Sequence, residues 1–161
     1  MSFANFSPGS YAVTWNSNDL GLVENPHRFD IQPMGQPIKV DLYGDSNVDA
    51  VYRGQLCYVL CTFAEWNANL RAAVNPYSGT FGAIGLVGRL NSDIYKPLVL
   101  TPQALTPAAV LGTNTFTFGV AGVAPQNRIS FALGNVHRQI PILFECLLYD
   151  ASGVKVHFVT T

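Results

Sequence analysis

Charge is what this chain of 161 residues has least of: its 9 Lys and Arg and 10 Asp and Glu amount to 12% of the sequence, about half the ~25% usual for a soluble domain. The basic residues, Arg28, Lys39, Arg53, Arg71, Arg89, Lys96, Arg128, Arg138 and Lys155, stand singly with no two adjacent. Sequence-specific DNA binding normally rests on a basic cluster, so that class is set aside. Cysteine is scarce and odd in number, at Cys57, Cys61 and Cys146. With no export signal these read as free, buried thiols. If Cys57 and Cys61 share a strand they stand ~13 Å apart, beyond the ~7 Å between α-carbons that a disulfide spans. No second pair of Cys or His stands near them at zinc spacing, so no metal is expected.

Long apolar runs are missing too. The stretch Ile140 to Leu148 is interrupted by Pro141 and Glu145 and falls well short of the ~20 residues that span a bilayer as a helix. The first residues, Met1 to Gly9, carry no basic segment followed by an apolar one, which excludes a signal peptide of ordinary design. Catalytic constellations are absent from the pattern as well. No serine sits in a G-x-S-x-G elbow, no G-K-[ST] follows a glycine-rich loop, and the three histidines, His27, His137 and His157, are scattered and read as exposed or hydrogen-bonded. Asp45-Ser46-Asn47-Val48-Asp49 starts like a calcium loop, but its sixth position is Ala50 and its twelfth Leu56, where glycine and glutamate are required. Glu65 and Glu145 lie among apolar residues on different elements, and each is expected at a subunit contact or on an exposed surface rather than in a paired acid site. No cofactor is expected, and the chain does not read as an enzyme.

Against these scarcities, hydrophobic residues make up 48% of the chain and the net charge is −1. A monomer of this size normally shows more charge, so part of the surface is expected to be covered by other copies of the chain, with little long-range repulsion to oppose it. One domain is expected, with no linker, internal repeat or low-complexity tract.

The most informative stretch is Gln36 to Asn75. Ile38, Val40 and Leu42 alternate with Lys39, Asp41 and Tyr43, the period of a strand with one face in a core. Gly44-Asp45-Ser46-Asn47 supplies a turn, and Val51 to Phe63 predicts a long strand. There Cys57, Val59, Cys61 and Phe63 point one way and Leu56, Tyr58, Leu60 and Thr62 the other, leaving no obvious side for water. Residues 64–75 then predict a helix with Trp66, Leu70, Ala73 and Val74 on one stripe, ended by Asn75-Pro76.

Elsewhere, Tyr11, Val13 and Trp15 predict a short strand and Asn16 to Gly21 a polar turn. Arg28 to Ile31 predicts another strand, broken by Pro33 and Gly35, with the prolines keeping such pieces short. The glycine-rich stretch 77–96, with Gly79, Gly82, Gly85 and Gly88, reads as a bulged strand pair or an apolar-tipped loop. Thr106 to Gly112 suggests a brief helix with a first-turn proline and a terminal glycine. Thr115 to Val120 and Ile129 to Leu133 alternate as strands. Gln139 to Tyr149 reads as one two-sided strand, turned by Asp150-Ala151-Ser152-Gly153 into Val154 to Val159. The sum is a mainly β chain: an antiparallel β-sandwich or split barrel with one flanking α-helix.

The hairpin from Lys39 to Gly54, the long strand and the helix around Trp66 to Asn75, followed later by Arg138-Gln139-Ile140-Pro141-Ile142-Leu143-Phe144-Glu145-Cys146 and a final hairpin, resemble the major tail tube proteins of tailed bacteriophages. The likeness lies in the order of elements rather than in a short motif, and it is loosest before Gln36 and from Tyr77 to Gly112. It implies a non-enzymatic subunit that forms homo-hexameric rings, stacked into a tube through which DNA passes during ejection. A virion tail location after assembly in the host cytoplasm, and contacts with terminator, baseplate or sheath proteins but no membrane, follow from the same likeness. Under it, Lys39 to Tyr43 and Arg53 to Phe63 help line the bore with Asp41 as a lining acid. The N-terminal arm (1–10) with Phe3 and Phe6, and the glycine-rich loop with Phe81 and Ile84, would contact the next ring. Contractile injection systems share such a fold, which alone does not choose among these roles. Two rivals stand beside it: a tail terminator or neck ring, and a carbohydrate-binding β-sandwich using tyrosine and tryptophan for sugar stacking.

Overall fold

A computed structural model describes residues 11–23, 27–39, 46–78, 80–103, 115–131 and 139–161. Phe3, Phe6, Asp41, the expected turn glycine Gly44, the expected helix at 106–112 and His137 lie outside these residues.

The fold is mainly β and antiparallel. In chain order the strands are β1 (Tyr11–Trp15), β2 (Asn18–Asp19), β3 (Arg28–Lys39), β4 (Asn47–Phe63), β5 (Lys96–Pro102), β6 (Phe116–Val123), β7 (Ile140–Cys146), β8 (Tyr149–Ala151), β9 (Val154–Val156) and β10 (Val159–Thr160), with helices α1 (Ala68–Val74) and α2 (Asn91–Ile94) between β4 and β5. The main sheet runs β2-β1-β5-β6-β7-β4-β3, β10 adds to β6, and β8 and β9 form a separate ribbon.

This sheet rolls up. Val23 bridges Phe63, the Ala64 amide donates to the Leu22 carbonyl at 2.9 Å, and the Leu20 amide donates to Val13 at 3.0 Å. The segment 20–23 therefore joins the β1 side of the sheet to the end of β4. Across the interior, Phe29 of β3 meets Phe116 and Phe118 of β6 with ring centroids 5.2 and 6.1 Å apart. The enclosed side chains form one cluster that includes Val13, Leu20, Val59, Cys61, Phe63, Leu98, Phe118, Ile142 and Phe144. Each large apolar side chain buried there contributes roughly 1.5–3 kcal/mol. The Trp15 indole keeps its N–H satisfied inside by donating to the Ala121 carbonyl at 2.9 Å.

Six expectations change. Pro33 and Gly35 do not break β3, which continues to Lys39, so the hairpin is longer than the sequence suggests. Asn47, expected in the turn, already pairs with Lys39 on β4. Of the strand expected at 129–133, residues 132 and 133 lie outside the described ones, and Ile129 to Phe131 form no strand: Phe131 packs on Trp66 at 4.7 Å instead of entering a ladder. The two-sided strand at 139–149 ends at Cys146 and resumes as β8 in a different sheet. In the glycine-rich stretch the described residues form turns and loop up to the single turn α2 rather than a strand pair, which makes a second helix beside the one expected. The main helix is shorter than 64–75. Asn67 caps it, its side-chain oxygen accepting from the Leu70 amide at 2.8 Å, and Leu70 and Ala73 are its buried face.

Candidate assembly surface

The β3–β4 ribbon outruns the barrel. β7 pairs with β4 only from Cys57 to Phe63, whereas β3 pairs with it from Leu60 back to Asn47. Residues 32–39 and 47–53 thus form a two-stranded arm, exposed throughout. Its exposed side chains include Met34, Ile38, Val48, Val51 and Tyr52, the last 63% exposed. A two-stranded ribbon is marginal in water by itself, and one carrying this much apolar surface is stabilised when something covers it.

The arm's edge is defended by its sequence. The register steps from Met34–Gly54 to Gly35–Tyr52, and again from Ile38–Asp49 to Lys39–Asn47. Both extra residues, Arg53 and Val48, therefore lie on β4, and Gly54 takes the φ of +123° that the first bulge needs. β3 keeps an unbroken alternation, so Pro33 and Pro37 share one parity and turn their nitrogens, which carry no proton, to the open edge. Edge-to-edge pairing along the β3 side of the arm is hindered, while β4 from Asn47 to Leu56 has no described strand on its other side.

The outer wall of the barrel beside the arm is formed by Leu56, Tyr58, Leu60 and Thr62 of β4 and Leu143 and Glu145 of β7, all half-buried, whereas Cys57, Val59, Cys61 and Phe63 on the other face of β4 are fully buried. β4 is apolar on both faces, as its sequence suggests, but its own chain seals only one of them. Glu145 accepts a hydrogen bond from the Tyr95 hydroxyl at 3.0 Å. Burial, followed by the neighbouring Tyr77 and Glu145, pushes that hydroxyl far above the ordinary tyrosine range. Around Glu145 a pocket of about 320 Å³ is lined by Tyr58, Asn91, Gln126 and Asn127.

The opposite pole carries α1 and the glycine-rich loop, because β4 leads away from the arm into Phe63 and then into the helix. Phe81, expected to contact another ring, packs edge-on against Trp66 at 5.2 Å and against Phe131 at 6.3 Å. Ile84 stands clear at 93% exposure. Between helix and loop, a groove of about 690 Å³ is lined by Trp15, Arg71, Tyr77, Phe81 and Arg89. Glu65 is tied locally, accepting from the Leu22 amide at 3.3 Å.

His27 joins the start of β3 to β1, its Nε2 bonding the Tyr11 carbonyl at 3.0 Å. Burial lowers its pKa, against the raising effect of that carbonyl. His157 is buried, with Nδ1 bonding the Cys146 carbonyl at 2.8 Å. Among the described residues no three of His, Cys, Asp and Glu converge on a point that could hold a metal, and no helix is long and apolar enough to cross a membrane. Of the strand expected from the alternation at 38–43, only Ile38 and Lys39 are described and both lie in the arm, whose reach back to Gln32 the sequence did not suggest. Nor did it hint at the pocket at Glu145, which depends on β7 lying beside β4.

No protein-family model matches this chain, and no curated protein matches it.

Proposed function

We propose that this chain is the repeating structural subunit of a bacteriophage tail tube, in which copies join into hexameric rings and the rings stack around a channel that DNA traverses during ejection. The supporting observation is the arm: the ribbon of residues 32–39 and 47–53, with Ile38, Val48, Val51 and Tyr52 bare on it, projecting from one pole while α1 and the exposed Ile84 occupy the other. An extension at one end and an apolar receiver at the other suit head-to-tail association, which grows into rings or filaments rather than closing as a pair. The half-sealed wall of Leu56, Leu60 and Leu143 would be completed by a neighbour. The proposed setting is the virion tail, built in the host cytoplasm, with terminator, baseplate or sheath proteins as further partners. Electron microscopy of the purified protein in negative stain is expected to show rings or tubes with a central hole. A homogeneous monomer at high concentration would overturn the proposal, and single rings that never stack would favour a terminator or neck role.

The pocket at Glu145 favours a second reading. Tyr58 offers an aromatic face and Asn91, Gln126, Asn127 and Glu145 offer planar polar groups, a combination that suits sugar hydroxyls. Clear hits on a glycan array from a protein that does not polymerise would select it.

A further inference from the structure

Cys57 and Cys146 are paired neither by sequence distance nor by any spacing motif, yet the β4–β7 register sets them directly opposite each other. Both are free, and both point into the core. Directly opposed residues of antiparallel strands have α-carbons about 4.5–5.5 Å apart, inside the roughly 4.4–6.8 Å window that a disulfide accepts. The third thiol is differently placed: Cys61 lies opposite Ile142, deeper in the barrel.

The position of this rung matters as much as its composition. It is the last one between β4 and β7, for β7 ends at Cys146, and immediately before it Gln55 and Leu56 of β4 are already half-exposed. It therefore sits at the root of the arm, where Cys57 also pairs with Ile31 of β3 and Cys146 with Ala121 of β6, so reaching it requires a local opening of the β7 end. His157 holds the same strand end by its bond to the Cys146 carbonyl, while its Nε2 is buried with no partner among the described residues.

We propose that Cys57 and Cys146 are a redox modification site: a reversible cross-strand disulfide, closed by a small-molecule disulfide such as oxidised glutathione, that ties the root of the arm to β7. In the first step a Cys57 thiolate attacks one sulfur of the oxidant. A mixed disulfide forms, the oxidant's S–S bond breaks, and one reduced thiol leaves with the proton that Cys57 gave up. In the second step Cys146, deprotonated by solvent while the rung is open, attacks Cys57 Sγ and expels the second reduced thiol. Two protein thiols are oxidised and one oxidant disulfide is reduced to two thiols. The Cys146 thiol opposite it lowers the pKa of Cys57, and the first attack is assigned to Cys57. The thiolate is the attacking species. Burial alone pushes Cys61 well up, so it stays a thiol.

The inference does not depend on the tube reading. The full chain is incubated with oxidised glutathione, alkylated under denaturing conditions and mapped by non-reducing mass spectrometry. The expected product is a peptide joining Cys57 to Cys146, with Cys61 alkylated. The melting temperature is expected to rise by roughly 5–10 °C and to return on adding dithiothreitol. C61S is expected to keep the crosslink and C146S to lose it. Alkylation of all three cysteines, glutathione left on Cys57 with no ring closure, or a bridge that includes Cys61 would each overturn the proposal. Because C61S carries the intact pair, a misfolded C146S would not obscure the result.

Discussion

His27 shows how much can hang on one ring. Its Nε2 bonds the Tyr11 carbonyl across the seam of the rolled sheet, so Nε2 carries the proton in the neutral ring, and Nδ1 is buried with no partner among the described residues. Protonation would place a charge on that orphaned nitrogen. Because the folded pKa lies below the ordinary 6.5, the unfolded chain binds more protons in that window. The His27 contribution to stability is thus complete above about pH 6.5 and is lost as pH falls toward the folded value. Urea denaturation between pH 7.5 and 5 is expected to show stability falling with acid, and H27Q is expected to flatten that slope. Glycine 122 is a second residue-scale case, because a Cβ there would enter the ring of Tyr95, itself buried and bonded to Glu145. G122A is expected to cost about 1–3 kcal/mol in chemical denaturation, the usual range for overpacking. Removing the side-chain cap of α1 with N67A is expected to cost about 1 kcal/mol.

Among the elements, the proposed role of the arm would separate folding from association. Ile38 and Val51 are exposed on it, so I38D combined with V51D is expected to leave the melting temperature nearly unchanged while abolishing rings or tubes in negative stain. Loss of both together would show that the arm serves the fold instead. Local patterning made some elements legible: β1 and β6 alternate cleanly, the stripe Leu70–Ala73 marks α1, and Asp150 to Gly153 turns as its residues demand, with the Gly153 amide bonded to Asp150 at 2.8 Å. Other elements were hidden by proline. β3 passes through Pro33 and Pro37 because it is an edge strand, and an edge has no use for the donors that proline lacks. β5 went unrecognised because Pro97 and Pro102 stand in it. The first falls at a shift of register between Lys96 and Leu98 and the second at the strand's end. α2 is a single turn whose cap, Leu90, makes no side-chain bond, so no start signal was there to read. The Cys57–Cys146 rung could not be found from spacing at all, since it exists only once β7 has chosen β4 as its neighbour.

For the whole molecule, scarcity of charge and a half-sealed wall mean that the proposed assembly would be driven by apolar contact rather than by ion pairs. The described salt bridges are local and exposed, Arg28 with Asp30 at 3.0 Å and Lys155 with Asp150 at 3.6 Å, and such pairs add little. Assembly followed by light scattering is therefore expected to persist in about 1 M sodium chloride, where screening shortens to about 3 Å, and to be strengthened by ammonium sulfate.

The two tryptophans happen to be wired to different parts of this picture. Trp15 is buried with its indole N–H committed to Ala121, whereas Trp66 leans on Phe81 and Phe131 at the rim of the glycine-rich loop. Trp15 reaches the groove beside α1 but is only 7% exposed and has little water to lose, whereas docking at that pole, as proposed, would dehydrate Trp66. The native protein thus carries its own optical gauge, in which a blue shift gained on polymerisation belongs to Trp66 and vanishes in W66F.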